Sequence, residues 1–170
     1  MQTEPVTESI RYPTYSELIF INGKLLNDKA IMTGKVKVRD IDLLLAAEQR
    51  PQSSAFGQDA YPTLHEKAAA LLHSIARNHP YKDGNKRTAT VAALFLLAIN
   101  GRRIDWEQAE ALQRILAVAE GQEDVTSFAA WLRSEEAYPP LPEPELEVDT
   151  ALIERLIAEQ KWLLDELAER

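Results

Sequence analysis

Cysteine is absent from this chain of 170 residues. That excludes disulfides, thiolate chemistry and cysteine-held metals. Long hydrophobic runs are missing as well: no apolar stretch approaches the length that crosses a bilayer, and the N-terminus has no basic region followed by an apolar block. The expectation is a soluble, cytoplasmic protein with no membrane partner. Basic residues are in the minority, 19 against 27 acids, for a net charge of −8. A nucleic-acid partner asks for a basic face, so no direct one is expected. Internal repeats are also lacking, and 45% hydrophobic residues suffice for the core of one domain, with or without an appendage.

The acidity is unevenly spread. Residues 138–170 hold nine acids and three bases, net −6, which leaves 16 bases and 18 acids in the rest. Against that background Arg77, His79, Lys82, Lys86 and Arg87 cluster around a single acid, Asp83. A local positive focus in an acidic protein suits a phosphate ligand better than a duplex.

This cluster lies in the stretch His79-Pro80-Tyr81-Lys82-Asp83-Gly84-Asn85-Lys86-Arg87-Thr88, followed by an almost uninterrupted apolar run from Ala89 to Ile99. Ala89, Ala92, Ala93, Leu96 and Ile99 recur at helical spacing, and Asn100-Gly101 is a good stop. A helix apolar all round belongs in the middle of a bundle. Its N-terminus then opens onto whatever pocket the bundle makes. Gly84-Asn85 provides a tight bend, and the amides of Asn85, Lys86 and Arg87 are unpaired donors at a helix start, which is an anion site. Lys86 and Arg87 stand where a helix normally prefers acids, a placement that an anion would offset. His79 can take a proton near neutral pH, and Asp83 beside a phosphate cradle suits magnesium, though Asp-Gly is also an ordinary turn pair. Together these groups describe phosphoryl or nucleotidyl transfer to a hydroxyl.

The run HPYKDGNKR resembles the signature of the Fic/Doc superfamily: His, any residue, aromatic, any residue, Asp or Glu, Gly or Ala, Asn, Gly or Lys, Arg. Lys86 makes it similar to the Doc, or death-on-curing, branch, because the Fic branch has glycine there. Tyr81 replaces the usual Phe. The resemblance covers roughly residues 13–136 and implies an all-α helical bundle around a central apolar helix, with a short flap. It implies His79, Lys86 and Arg87 as catalytic residues, with His79 the general base. Gly84, Asn85, Lys86, Arg87 and Thr88 become nucleotide-binding and Asp83 a metal contact, with ATP and Mg²⁺ required. The implied function is that of a toxin in a toxin–antitoxin system, which moves the terminal phosphate of ATP to a Ser or Thr hydroxyl of a translation factor, typically elongation factor Tu. A cognate antitoxin is the second implied partner. AMP transfer of the Fic type and a catalytically silent binding module of the same fold remain as alternatives. Fic proteins usually carry glycine at the place of Lys86 and a second arginine at that of Thr90, and this chain has neither.

Elsewhere, residues 1–13 read as a polar arm, and Thr14-Tyr15-Ser16-Glu17 has capping-box spacing ahead of a helix to about residue 27. Asn22-Gly23 weakens that helix. Residues 28–39 form a loop with a possible extended piece at 35–38. Asp40 caps a second helix through Glu48, and Arg39-Asp40 with Leu43-Leu44 is similar to a segment of the family. Residues 52–62 are a loop or short hairpin at the family's flap position, where strand addition would grip a peptide. Thr63-Leu64-His65-Glu66 is a second capping box, and its helix delivers His79; His65 and His73 lie outside the site. Arg77 is either a rim cation or a salt-bridge partner. Asp105 caps a helix with Trp106, Ala109, Leu112 and Leu116 on one face, and Asp124 opens another with Val125, Phe128, Ala129 and Leu132. The bundle domain is therefore placed at 14–136, a Pro-rich linker at 137–148, and a C-terminal accessory helix at 149–170. The helix carries Leu152, Ile153, Leu156, Ile157, Leu163, Leu164 and Leu167, a stripe that must cover something. Thr150 to Glu154 is similar to the start of the Fic inhibitory helix, but Arg155 and Thr90 break that pattern. A structural helix, or one that forms a homodimer, is preferred to a lock.

Overall fold

The computed structural model describes residues 9–27 and 38–170. The possible extended piece at 35–38 falls mostly outside them; of it, Val38 pairs with Tyr81 in an isolated antiparallel bridge. Helix α1 (Tyr15–Leu26) begins at the anticipated capping box, Thr14 accepting from the Glu17 amide while Glu17 reaches back to Thr14. Asp40 caps α2 (Ile41–Gln49), and a 3₁₀ turn (Arg50–Gln52) leads to a hairpin of β1 (Ser54–Ala55) and β2 (Gln58–Asp59). Thr63 caps α3 (Leu64–Asn78), and Gly84 precedes α4 (Asn85–Ile99). Then come β3 (Arg102–Ile104), α5 (Gln108–Ala119), α6 (Val125–Trp131), capped by Asp124, and β4 (Ser134–Glu136). The last helices are α7 (Leu146–Glu159) and α8 (Lys161–Ala168). The architecture is an all-α bundle with two small ribbons.

Helix α4 is the axle. From Thr88 to Ile99 every residue is buried, because α3, α1, α7, α8 and α5 pack on successive sides of it. An all-round apolar helix has no other stable position in water. Its two polar buried residues are satisfied: Thr90 bonds back to the Lys86 carbonyl and Thr88 accepts from Asn22.

Four expectations change. The accessory segment is two helices rather than one, bent at Gln160 (φ −106°, ψ 22°), and the first begins at Leu146, inside the supposed linker. Gln108 of α5 holds the bend, donating to the Glu159 carbonyl at 3.0 Å and accepting from the Leu163 amide at 3.0 Å. The leucine stripe packs on α4 and α5, so the face that lacked a partner in the sequence is covered within the chain. Helix α5 starts at Gln108 with Glu107 before it, not at Asp105, and it buries Ala111, Leu112, Ile115 and Val118; Ala109 is exposed. Trp106 instead stacks on Trp131 at 5.8 Å between centroids. The β3–β4 ribbon was not anticipated; its register sets Arg102 opposite Glu136 and Arg103 opposite Glu135, while the Arg102 guanidinium bonds to Ser134 and that of Arg103 pairs with Glu159 at 2.7 Å. Finally, Arg11, read as part of a loose arm, is buried. It grips Asp149 with both terminal nitrogens (3.1 and 2.6 Å) and Glu17 at 2.7 Å, so the segment before α1 is tied to α7.

Candidate functional site

The motif lies on a loop that four partners hold in shape. His79 closes α3 with φ 51°, a left-handed conformation uncommon outside glycine. Arg39 steadies it: its Nε donates to the His79 carbonyl at 2.6 Å and its Nη2 to the Asn78 carbonyl at 2.8 Å. The Arg39 and Asp40 amides also donate to the Pro80 carbonyl. Asn85 braces the loop internally, its Oδ1 accepting from the Tyr81 amide at 3.0 Å and its Nδ2 donating to the Tyr81 carbonyl at 2.9 Å. Asn22, buried in α1, donates to the Asp83 carbonyl and to Thr88 Oγ1, both at 3.0 Å. Tyr81 fills the space beneath, 2% exposed; its hydroxyl has no hydrogen-bond partner among the described residues.

Gly84 is required at the turn into α4. Its φ is +75°, and a Cβ there would stand 3.1 Å from Leu26 Cδ2 and 3.2 Å from Asn22 Nδ2. Thr88 is the first residue of the turn whose amide finds a helical carbonyl, that of Gly84 at 2.8 Å. The amides of Asn85, Lys86 and Arg87 therefore lack an intrahelical acceptor. With the helix dipole they form a positive nest. The nest faces a groove of about 180 Å³ lined by His79, Asp83, Lys86 and Arg87 on one side and by Leu167, Ala168 and Arg170 on the other. Lys86 Nζ donates to the Arg170 carbonyl at 3.1 Å. Arg87 approaches Asp83 Oδ1 at 3.8 Å, and the same oxygen accepts from the Gly84 amide at 2.7 Å.

Burial, followed by the charges of Lys86, Arg39 and Arg77, lowers the His79 pKa below its ordinary 6.5. The imidazole is accordingly neutral at pH 7 and able to accept a proton. Asp83 fits a magnesium role: its side chain is 76% exposed at the groove. Mg²⁺ is commonly held by one or two carboxylates together with substrate phosphates and water. Among the described residues no group of three His or acidic side chains is gathered as a protein-only cage.

The structure thus brings His79, Asp83, Gly84, Asn85, Lys86 and Arg87 to one groove, but not Thr88. Helix phase turns Thr88 inward, where it is buried and bonded to Asn22. Asn85 stands in the groove with its side-chain amide committed to Tyr81, which leaves its backbone N–H for an anion. Arg77 does not line the groove and makes no salt bridge among the described residues; it donates to the Ala119 carbonyl at 3.1 Å and lies against Gly121, where a Cβ would come within 3.1 Å of the guanidinium carbon. His65 pairs with Ser134 and His73 with Arg50, both in the scaffold. Lys82 is exposed. Sequence reading missed Asn22 as a loop clamp. Its usable signal was an amide side chain on the buried stripe of α1.

The helical bundle thus aims a positive helix start and a neutral imidazole into one groove, an arrangement suited to an anionic ligand. The Fic/DOC family model matches residues 12–97, half of the chain, and the protein belongs to that family, on its Doc side. A protein named Toxin Doc from Mycolicibacterium smegmatis is 50% identical over 103 residues, which span 58% of this chain and 78% of that one. No solved structure matches the chain. The family match ends within α4, so α5 to α8 lie beyond it. Among the described residues no helix is long and apolar enough to cross a membrane.

Proposed function

We propose that this chain is a Doc-type toxin that transfers the terminal phosphate of ATP to a Ser or Thr hydroxyl of a translation factor, elongation factor Tu by family analogy, and that a cognate antitoxin restrains it. The observation that carries the reading is the convergence of the His79 imidazole, three unpaired amides and the Lys86 and Arg87 side chains on one groove. In the transfer the acceptor oxygen attacks the terminal phosphorus in line, the bond to the bridging oxygen of the leaving ADP breaks, and the hydroxyl proton passes to His79. The amides with Lys86 and Arg87 take up charge that grows on the phosphoryl oxygens. Asp83 would hold a magnesium ion, which supplies further neutralisation of the phosphates when bound.

AMP transfer is the competing chemistry. Thr90 is buried and bonded to the Lys86 carbonyl, so this position offers no second cation, in keeping with the kinase reading. The test is transfer of label to a translation factor. The acceptor should gain label from γ-³²P ATP and none from α-³²P ATP, and His79→Ala should abolish transfer while leaving ATP·Mg²⁺ binding nearly intact. Label from the α phosphate alone would establish AMP transfer instead.

A further inference from the structure

Three successive carbonyls around the imidazole, those of Asn78, His79 and Pro80, accept hydrogen bonds from a single residue, Arg39. Its Nη2 and Nε reach Asn78 and His79 at 2.8 and 2.6 Å, and its own backbone amide reaches Pro80 at 2.8 Å. The Asp40 amide doubles the last bond at 3.1 Å, and Val38 bridges to Tyr81 just beyond. The end of a helix leaves its final carbonyls without intrahelical donors, and the guanidinium fork can serve two of them at once. His79 is the residue at which the chain turns, with φ 51° and ψ 60°. A non-glycine residue holds that conformation at a cost, and only where its surroundings over-determine it.

From this arrangement we infer that Arg39 is a positioning residue for the transfer, fixing the backbone of His79 in the left-handed turn that aims its imidazole into the groove; the inference rests on the transfer reading above. A general base has to stay within hydrogen-bond reach of the hydroxyl it serves. The His79 dihedrals decide where its Cβ starts, so a change there swings the whole ring. Asn85 and Asn22 hold the later part of the loop, at Tyr81 and Asp83, and neither bonds to the His79 backbone. Arg39 does not line the groove, so it acts through His79 and not on the phosphate. The other cations near the imidazole are engaged elsewhere, Lys86 of α4 with the Arg170 carbonyl and Arg77 of α3 with that of Ala119. The Arg39 charge has a second effect. After burial and Lys86, and ahead of Arg77, it lowers the His79 pKa, which keeps the base unprotonated; Lys82, Asp83, Arg87 and Arg170 are the remaining charged residues of the groove.

The test compares Arg39→Met and Arg39→Lys with the unmodified full chain. The side chain is exposed, so both substitutions spare the core, and the two amide bonds to Pro80 survive in each. Label transfer from γ-³²P ATP to elongation factor Tu reports kcat, isothermal titration reports ATP·Mg²⁺ affinity, and proton NMR follows the His79 titration, assigned by its loss in His79→Gln. We expect Arg39→Met to lower kcat by about tenfold, as a misplaced catalytic group does, with ATP·Mg²⁺ affinity within about twofold. Its His79 titration should move to higher pH, because a positive neighbour is gone. Arg39→Lys keeps the charge but not the fork, so the titration should stay in place while kcat remains at least about threefold low, the size of one modest hydrogen bond. Unchanged kcat or an unmoved titration in Arg39→Met, or full recovery of kcat by lysine, overturns the role. So does a loss of ATP affinity equal to the loss of kcat, which would make Arg39 a general support of the loop. Failure of the unmodified protein to label the factor overturns the transfer reading, and the role with it.

Discussion

His65 lies on α3, 5% exposed, with its Nε2 2.7 Å from Ser134 Oγ of β4. Burial, reinforced by Arg102 and Arg133, lowers its pKa from 6.5 to about 4. The unfolded chain therefore binds a proton that the folded chain refuses, and stability falls as pH drops through the window between 6.5 and about 4, levelling off below it. The loss should reach at most about 3 kcal/mol, and urea midpoints at pH 7 and pH 4.5 should converge in His65→Gln relative to the unmodified protein. An unchanged slope in that variant would assign the acid sensitivity to other groups. His79 is shifted in the same direction but sits at the groove, so transfer should keep its base below pH 6.5 instead of losing half of it there. The residues of the site divide by distance in their legibility. The ten-residue motif displayed its own chemistry, because loop, cations and helix start are contiguous. Its clamps did not, since Asn22 lies 61 residues from Asp83 and Arg39 lies 40 from His79, and neither belongs to a local pattern. Thr88 was misplaced because adjacency in sequence hides the turn of the helix, which sends one residue to the groove and the next to the core.

Gln108 performs for the α7–α8 bend what a capping residue performs for a helix end. One amide side chain serves a carbonyl on α7 and an N–H on α8, while Gln160 at the bend accepts from Trp106 Nε1 at 3.1 Å. Gln108→Ala leaves both backbone groups without these partners and should destabilise the protein by about 1–3 kcal/mol, whereas Gln113→Ala, on the exposed side of the same helix, should change stability by less than about 0.5 kcal/mol. Equal midpoints for the two variants in chemical denaturation would remove Gln108 from that role. The bend shows why elements were unequally legible. Capping residues at Thr14, Asp40, Thr63 and Asp124 marked helix starts because the signal is local. The break at Gln160 is invisible to periodicity, since Leu156, Leu163 and Leu167 keep helical spacing across it. A three-residue ribbon such as β3–β4 is too short for alternation to register.

At the scale of the molecule the joining element is the buried cluster of Arg11, Glu17 and Asp149, with the guanidinium also 5.6 Å over the Phe95 ring of α4 and donating to the Leu141 carbonyl at 3.1 Å. Burial pushes the Glu17 carboxyl up against the opposing pull of Thr14 and Arg11. Arg11→Met strands two carboxylates in the interior and should cost about 3–5 kcal/mol in urea unfolding; a loss below about 1 kcal/mol would show the cluster to be incidental. Nothing near Arg11 in the sequence announces this partner, because Asp149 lies 138 residues away. That separation has a consequence for the order in which the protein is made. On the ribosome the motif loop and α4 emerge early, yet the apolar surface of α4 that α7 and α8 cover has no cover until residues as late as Leu167 are free. Pairings across so much chain close slowly and leave intermediates with exposed apolar surface. The groove acquires its second wall only once Leu167, Ala168 and Arg170 have emerged, so a nascent chain carries every residue of the signature before it carries the site.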